Sequence, residues 1–94
     1  MSVIKVEGKK KDHKVFLYTL STCGWCKKTK QFLKENEVEY EYIDVDKCSR
    51  EDRQKIIAEI KERKASMGFP LAIIDDEILI NGYKVDKYKE VLGL

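Results

Sequence analysis

Leu17-Tyr18-Thr19-Leu20-Ser21-Thr22-Cys23-Gly24-Trp25-Cys26-Lys27-Lys28 is the stretch on which the fold turns. Before it, Val15 to Leu20 forms a near-continuous apolar and aromatic run, the pattern of a strand buried on both faces. After it, Cys26, Thr29, Phe32 and Leu33 recur at helical spacing from Gly24 to about Asn36, while Lys27, Lys28, Lys30 and Lys34 point elsewhere. Ser21 and Thr22 offer hydroxyl caps for that helix. A strand running into a helix at this point sets two thiols three residues apart in a first turn, where they can close and reopen a disulfide.

Beyond this segment, Val38 to Val45 reads as a second strand. Glu39 and Glu41 alternate with Val38, Tyr40 and Tyr42, leaving one face wet as an edge strand can. Ser49, followed by Glu51 and Asp52, caps a second helix that runs to about Lys64. Its buried stripe is Ile56, Ile57 and Ile60, and Glu51 with Lys55 and Glu59 with Arg63 form surface pairs. Leu71 to Asp75 and Glu77 to Asn81 read as a hairpin turning at Asp75-Asp76, and a last helix spans about Val85 to Leu92. Val3-Ile4-Lys5-Val6, within Ser2 to Glu7, has β-propensity and reads either as an extra short strand or as a disordered terminus.

Strand, helix, strand, helix, hairpin, helix is an α/β order. It implies a four-stranded mixed sheet flanked by three helices, with the first two strands parallel through a right-handed crossover. We divide the chain into an N-terminal extension, 1–12, and one domain, 13–94.

Composition narrows the function. Of 94 residues, 43% are hydrophobic and 38% charged, enough for one core under a charged surface. Nineteen basic against seventeen acidic residues leave a net charge of +2, without the basic face that nucleic acid requires. No apolar run approaches the roughly 20 residues that cross a bilayer, and the first twelve residues lack a secretory core, so a cytoplasmic, monomeric protein is expected. Three cysteines in that compartment argue for chemistry rather than a structural disulfide framework.

A free thiol with a pKa near 8.5 is only about 3% ionised at neutral pH. Cys23, at the helix start, faces unpaired N–H groups and the positive end of the dipole, and Lys27 and Lys28 add charge one turn along. Cys26 lies one turn further in and can reach a mixed disulfide formed on Cys23. Cys23 is therefore the expected nucleophile and Cys26 the resolving thiol. Trp25, between them, either contributes to a partner-docking surface or folds onto apolar neighbours. Cys48 reads as a small hydrophobe at a helix boundary and His13 as a solvated strand end. Pro70 belongs at a strand start, with a trans bond on base rates alone.

The segment from Leu17 to Lys28 closely resembles the active-site segment of glutaredoxins and related redoxins of the thioredoxin superfamily. Tyr42-Ile43-Asp44-Val45-Asp46 is similar to that family's second strand, Gly68-Phe69-Pro70 to its cis-proline loop, and Asn81-Gly82-Tyr83-Lys84-Val85-Asp86 to its glycine turn before the last helix. The resemblance covers about His13 to Leu94. It implies a thioredoxin-like fold, a cis Pro70, and a substrate site formed by Trp25, Phe69, Pro70, Gly82 and Asp86 around the catalytic Cys23 and Cys26. The Phe69 backbone would pair with the substrate segment as a short added strand. No bound cofactor is implied: the partners are disulfide-bearing proteins or small molecules, and an external thiol or a disulfide reductase such as thioredoxin reductase returns the electrons.

Three departures weigh against glutathione. Leu20, Ser21 and Thr22 precede Cys23 in place of a basic residue, Gly68-Phe69 replaces Thr-Val, and Asn81 replaces one of two glycines. The turn from Gly82 to Asp86 is more similar to redoxins that supply ribonucleotide reductase; Lys84 and Asp86 read first as solvated surface groups, and otherwise as the groups to meet a small thiol's carboxylate and amine. A competing reading is a zinc or iron-sulfur module built from Cys23, Cys26, Cys48 and His13, some glutaredoxins sharing a cluster between subunits; the absence of a second close cysteine pair sets it behind thiol exchange. Gly24-Trp25 leaves the direction of exchange, reducing or oxidising, open.

Overall fold

The computed structural model describes residues 3–94. In chain order the elements are β1 (Ile4–Val6), β2 (Val15–Thr19), α1 (Gly24–Glu35), β3 (Tyr40–Asp44), a 3-10 turn (Val45–Lys47), α2 (Arg50–Glu62), β4 (Leu71–Ile74), β5 (Ile78–Asn81) and α3 (Val85–Leu92). One mixed sheet runs in the order β1-β3-β2-β4-β5. β2 is parallel to β3, with Phe16 beside Glu41 and Thr19 beside Asp44. It is antiparallel to β4, with Val15 beside Ile74 and Tyr18 beside Leu71.

Alternation along β2 explains the two cores. Val15 and Leu17 join Phe32 and Leu33 of α1 and Tyr88 of α3 on one face. Tyr18 turns to the other, where Ile43 of β3, Leu71 and Ile73 of β4, and the α2 residues Ile56 and Ile60 gather. A strand apolar at successive positions is what a sheet covered on both sides requires.

The extra short strand that the sequence offered forms: Ile4–Val6 pairs antiparallel with β3, Ile4 lying beside Tyr42, so the sheet has five strands; Ser2 lies outside the described residues. Other expectations are corrected. β3 is therefore interior and not an edge. Just before it, Glu39 forms ion pairs with Lys5 and Lys11, each at 3.9 Å. Alternating polarity reports which face sees water and carries no information about lateral neighbours. The strand is also shorter than Val38 to Val45, since Val45 opens the 3-10 turn and Val38 makes only an isolated bridge with Lys10. In α2, Ile56 and Ile60 are buried but Ile57, about 100° around the helix from Ile56, is 38% exposed.

His13 is not a merely solvated end. Its Nδ1 lies 2.7 Å from Asp75 Oδ2, while Asp75 Oδ1 accepts the N–H of Lys14 at 2.9 Å. These bonds hold the Asp75 carboxyl below its usual range, the His13 contact contributing most. Asp75 and Asp76 form the expected turn with φ of 54° and 65°, a region that aspartate tolerates better than most residues. The pairs Glu51–Lys55 and Glu59–Arg63 form at 3.6 and 3.3 Å.

Candidate active site

At the C-terminal end of β2 the chain turns through Leu20 to Thr22 into α1. The cap of α1 is Cys23 itself, whose Sγ accepts the N–H of Cys26 at 3.2 Å. This corrects the hydroxyl caps expected at Ser21 and Thr22. Ser21 is occupied elsewhere: its N–H donates to Asp46 Oδ1 at 2.9 Å and its hydroxyl to the same carboxylate, holding Asp46 below its ordinary range. The loop before Cys23 is thereby tied to the turn after β3.

The two thiols occupy different surroundings. Cys23 is partly exposed, Cys26 is fully buried, and both are free. Burial, reinforced by the hydrogen bond with Cys23, pushes the Cys26 thiol up to about 12; a backbone hydrogen bond from Leu20 and the charge of Lys30 act the other way. At neutral pH the Cys26 proton stays on sulfur.

Trp25 lies at the surface, 57% exposed, and stacks on Tyr83 with ring centroids 5.7 Å apart and planes at 27°. The Lys28 ammonium sits 4.8 Å from the Trp25 ring centroid. Lys27 is exposed. Tyr83 was not singled out from the sequence; its place beside Trp25 arises because the turn before α3 folds back to the start of α1.

The Phe69-Pro70 bond is cis, as the resemblance implied and against the trans reading from base rates. Pro70 is buried and Phe69 partly so. Among the described residues the Phe69 backbone carries no hydrogen bond, whereas the Pro70 carbonyl accepts the N–H of Gly82 at 2.8 Å. That bond pins the glycine turn, φ +86°, against the start of β4. Asn81 braces the same loop, its side-chain amide donating to the carbonyls of Ser66 and Gly68 at 3.1 Å each. Lys84 and Asp86 are exposed at the start of α3.

Cys48 stands one residue before Ser49, the cap of α2, whose hydroxyl accepts the Asp52 N–H at 3.1 Å. The Cys48 thiol instead faces the Asp44 carbonyl at 3.5 Å and packs against the α2 core. With His13 bound to Asp75, the four-ligand set considered for zinc is not gathered, and among the described residues no group of three or more His, Cys, Asp or Glu could hold a metal ion. No helix among the described residues is long and apolar enough to cross a membrane.

Residues 15–79 match the sequence model of the glutaredoxin family. The chain belongs to the glutaredoxin family. A glutaredoxin-like 8.6 kDa protein of the rubredoxin operon of Clostridium pasteurianum is 33% identical over 76 residues, 79% of this chain and 95% of that one. Two archaeal structures agree in fold. The glutaredoxin of Methanosarcina mazei superposes with a TM-score of 0.85 at 36% identity, covering 100% of this chain and 90% of its own. The methanoredoxin of Methanosarcina acetivorans gives 0.80 at 40% identity over 86% and 85% of the two chains. The protein is thus a thioredoxin-fold redox protein of the glutaredoxin type.

Proposed function

We propose that this glutaredoxin-family protein is a dithiol thiol–disulfide oxidoreductase, with Cys23 the nucleophile and Cys26 the resolving thiol. The observation that carries this reading is the asymmetry of the pair: a partly exposed sulfur on the helix cap and a buried, proton-retaining sulfur one turn inward. The Cys23 thiolate attacks R–S–S–R′, the S–S bond breaks, R′S⁻ leaves and Cys23–S–S–R forms. Cys26 then loses its proton, its thiolate attacks Cys23 Sγ, and RS⁻ departs. The substrate has gained two electrons and the protein holds a Cys23–Cys26 disulfide, which an external dithiol or reductase reopens.

The free Phe69 backbone beside Pro70 supports pairing with an extended substrate segment. The Trp25–Tyr83 stack offers rigid aromatic area at its rim, with Gly82 shaping the turn and Lys84 and Asp86 presenting charge. Lys27 and Lys28 contribute positive potential around Cys23. In this reading the substrate is a protein or low-molecular-weight disulfide, ribonucleotide reductase being one protein of that class, and the returning electrons come from thioredoxin reductase or a comparable reductase.

Trapping tests the assignment. Cys26→Ser accumulates a mixed disulfide with substrate and Cys23→Ser does not; equal trapping by the two variants refutes it. Supplying the oxidised protein in turn with thioredoxin reductase, glutathione, another small thiol and a ferredoxin-linked reductase identifies the reductant, with Trp25 emission reporting reduction.

A further inference from the structure

A buried thiol that must ionise in order to resolve an intermediate needs a compensating charge, and the exposed lysines beside the motif are poorly placed to supply one. Lys27 is solvated and the Lys28 ammonium is drawn onto the Trp25 ring. Lys30 differs from both. It lies four residues after Cys26 on α1, one turn along the same side of the helix. Its Nζ stands 3.8 Å from the centroid of Tyr42 and 3.4 Å from Asp44 Oδ1, with only 20% of the Lys30 side chain and 14% of the Asp44 side chain exposed. The same Asp44 oxygen accepts the hydroxyl of the fully buried Thr19 at 2.7 Å. An ammonium fixed between an aromatic face and an anchored carboxylate gives up conformational freedom at folding rather than during the reaction.

We propose that Lys30 is the cation that stabilises the Cys26 sulfur as it gives up its proton in the resolving step, with Asp44 and Tyr42 as positioning residues that hold the ammonium against α1. The groups facing Cys26 are Cys23 at the cap, Lys30 on its own helix and Tyr88 from α3, with Asp44 of β3 acting through Lys30. Of these, the cation that acts on Cys26 is Lys30, and its effect opposes burial. The proton goes to solvent, the thiolate attacks Cys23 Sγ, and the Cys23–S–S–R bond breaks to release RS⁻. This inference rests on Cys26 being the resolving thiol.

The resolving step is directly visible with 5,5′-dithiobis(2-nitrobenzoate). In a Cys48→Ser background, attack by Cys23 releases one thionitrobenzoate anion and leaves another on Cys23; resolution by Cys26 releases the second. The rate of the second release is followed from pH 6 to 10, the rising limb below the Cys26 value of about 12, for the parent, Lys30→Met and Lys30→Arg. Lys30→Met displaces that limb to higher pH and slows the second release at each pH by about threefold or more, while Lys30→Arg restores both. The first release stays within about twofold of the parent, which shows that the site is folded. An undisplaced limb in Lys30→Met, an equal displacement in Lys30→Arg, or an equal slowing of the first release overturns the proposal. Cys26→Ser separates the two readings: a second release in that variant sinks the resolving assignment itself, whereas a null result at Lys30 alone leaves it standing.

Discussion

Two helices leave the same sheet with a cysteine at their threshold, and they use it in opposite ways. At α1, Cys23 is the cap and its sulfur takes the Cys26 N–H. At α2, Cys48 falls one residue short; Ser49 caps the helix and the thiol turns to the Asp44 carbonyl and the core. One residue of offset separates a sulfur placed in the first turn's field from one used as packing. The field of a helix N-terminus falls off within its first turn.

The largest consequence of that contrast is in turnover. Cys23→Ser brings disulfide exchange to the uncatalysed background in an assay with any accepted substrate, while Cys48→Ser leaves it near the parent rate. Retained turnover in Cys23→Ser would falsify the distinction outright.

A second test uses the partner sulfur. A buried thiol whose folded pKa is raised contributes fully below the ordinary thiol value of about 8.5, and that contribution is lost as pH climbs from there towards about 12. Urea unfolding of the reduced protein should therefore show a loss of about 1–2 kcal/mol between pH 7.5 and 10 that Cys26→Ala does not share. The window closes near pH 10, because Tyr18 and Tyr88, both raised above the usual phenol range by burial, join in beyond it. Parallel slopes in the two proteins would show that Cys26 ionises as it does in the unfolded chain.

The cap of α2 is next in size. Ser49→Ala removes the acceptor for the Asp52 N–H and costs about 1 kcal/mol, read as a lower urea midpoint with unchanged slope. An unchanged midpoint would mean that the cap contributes little there. The smallest effect is also the most discriminating: Ser49→Cys in a Cys48→Ser background moves a thiol onto the cap, and its alkylation at pH 7 exceeds that of Cys48 in the parent by about threefold. Equal rates would show that cap position is not what distinguishes the two helices.

Much of the site was legible because it is written locally. The spacing of Cys23 and Cys26, the helical recurrence that brings Phe32 and Leu33 onto one face, and the Ser49 cap each lie within a few neighbouring residues. What was hidden depends on segments far apart in sequence. The β-propensity of Val3 to Val6 offers a strand, but nothing in it names Tyr40–Tyr42 as its partner, and the face of β3 looks the same at an edge or inside. The Tyr83 stack on Trp25 and the Lys30 clamp on Asp44 and Tyr42 require the register of α1 over the sheet. Ser21 and Thr22 misled for a different reason: hydroxyls are the usual caps, but here the sulfur of Cys23 stands in the cap position and Ser21 is held by Asp46.

That Cys23 is the outward, reactive sulfur of the three is open to direct measurement. The reduced protein is pulsed with iodoacetamide at pH 7 and the label is located by peptide mass spectrometry over time. Modification of Cys23 is expected about tenfold or more ahead of both Cys48 and Cys26. Labelling of Cys26 or Cys48 at the rate of Cys23 would overturn the assignment on which the rest depends.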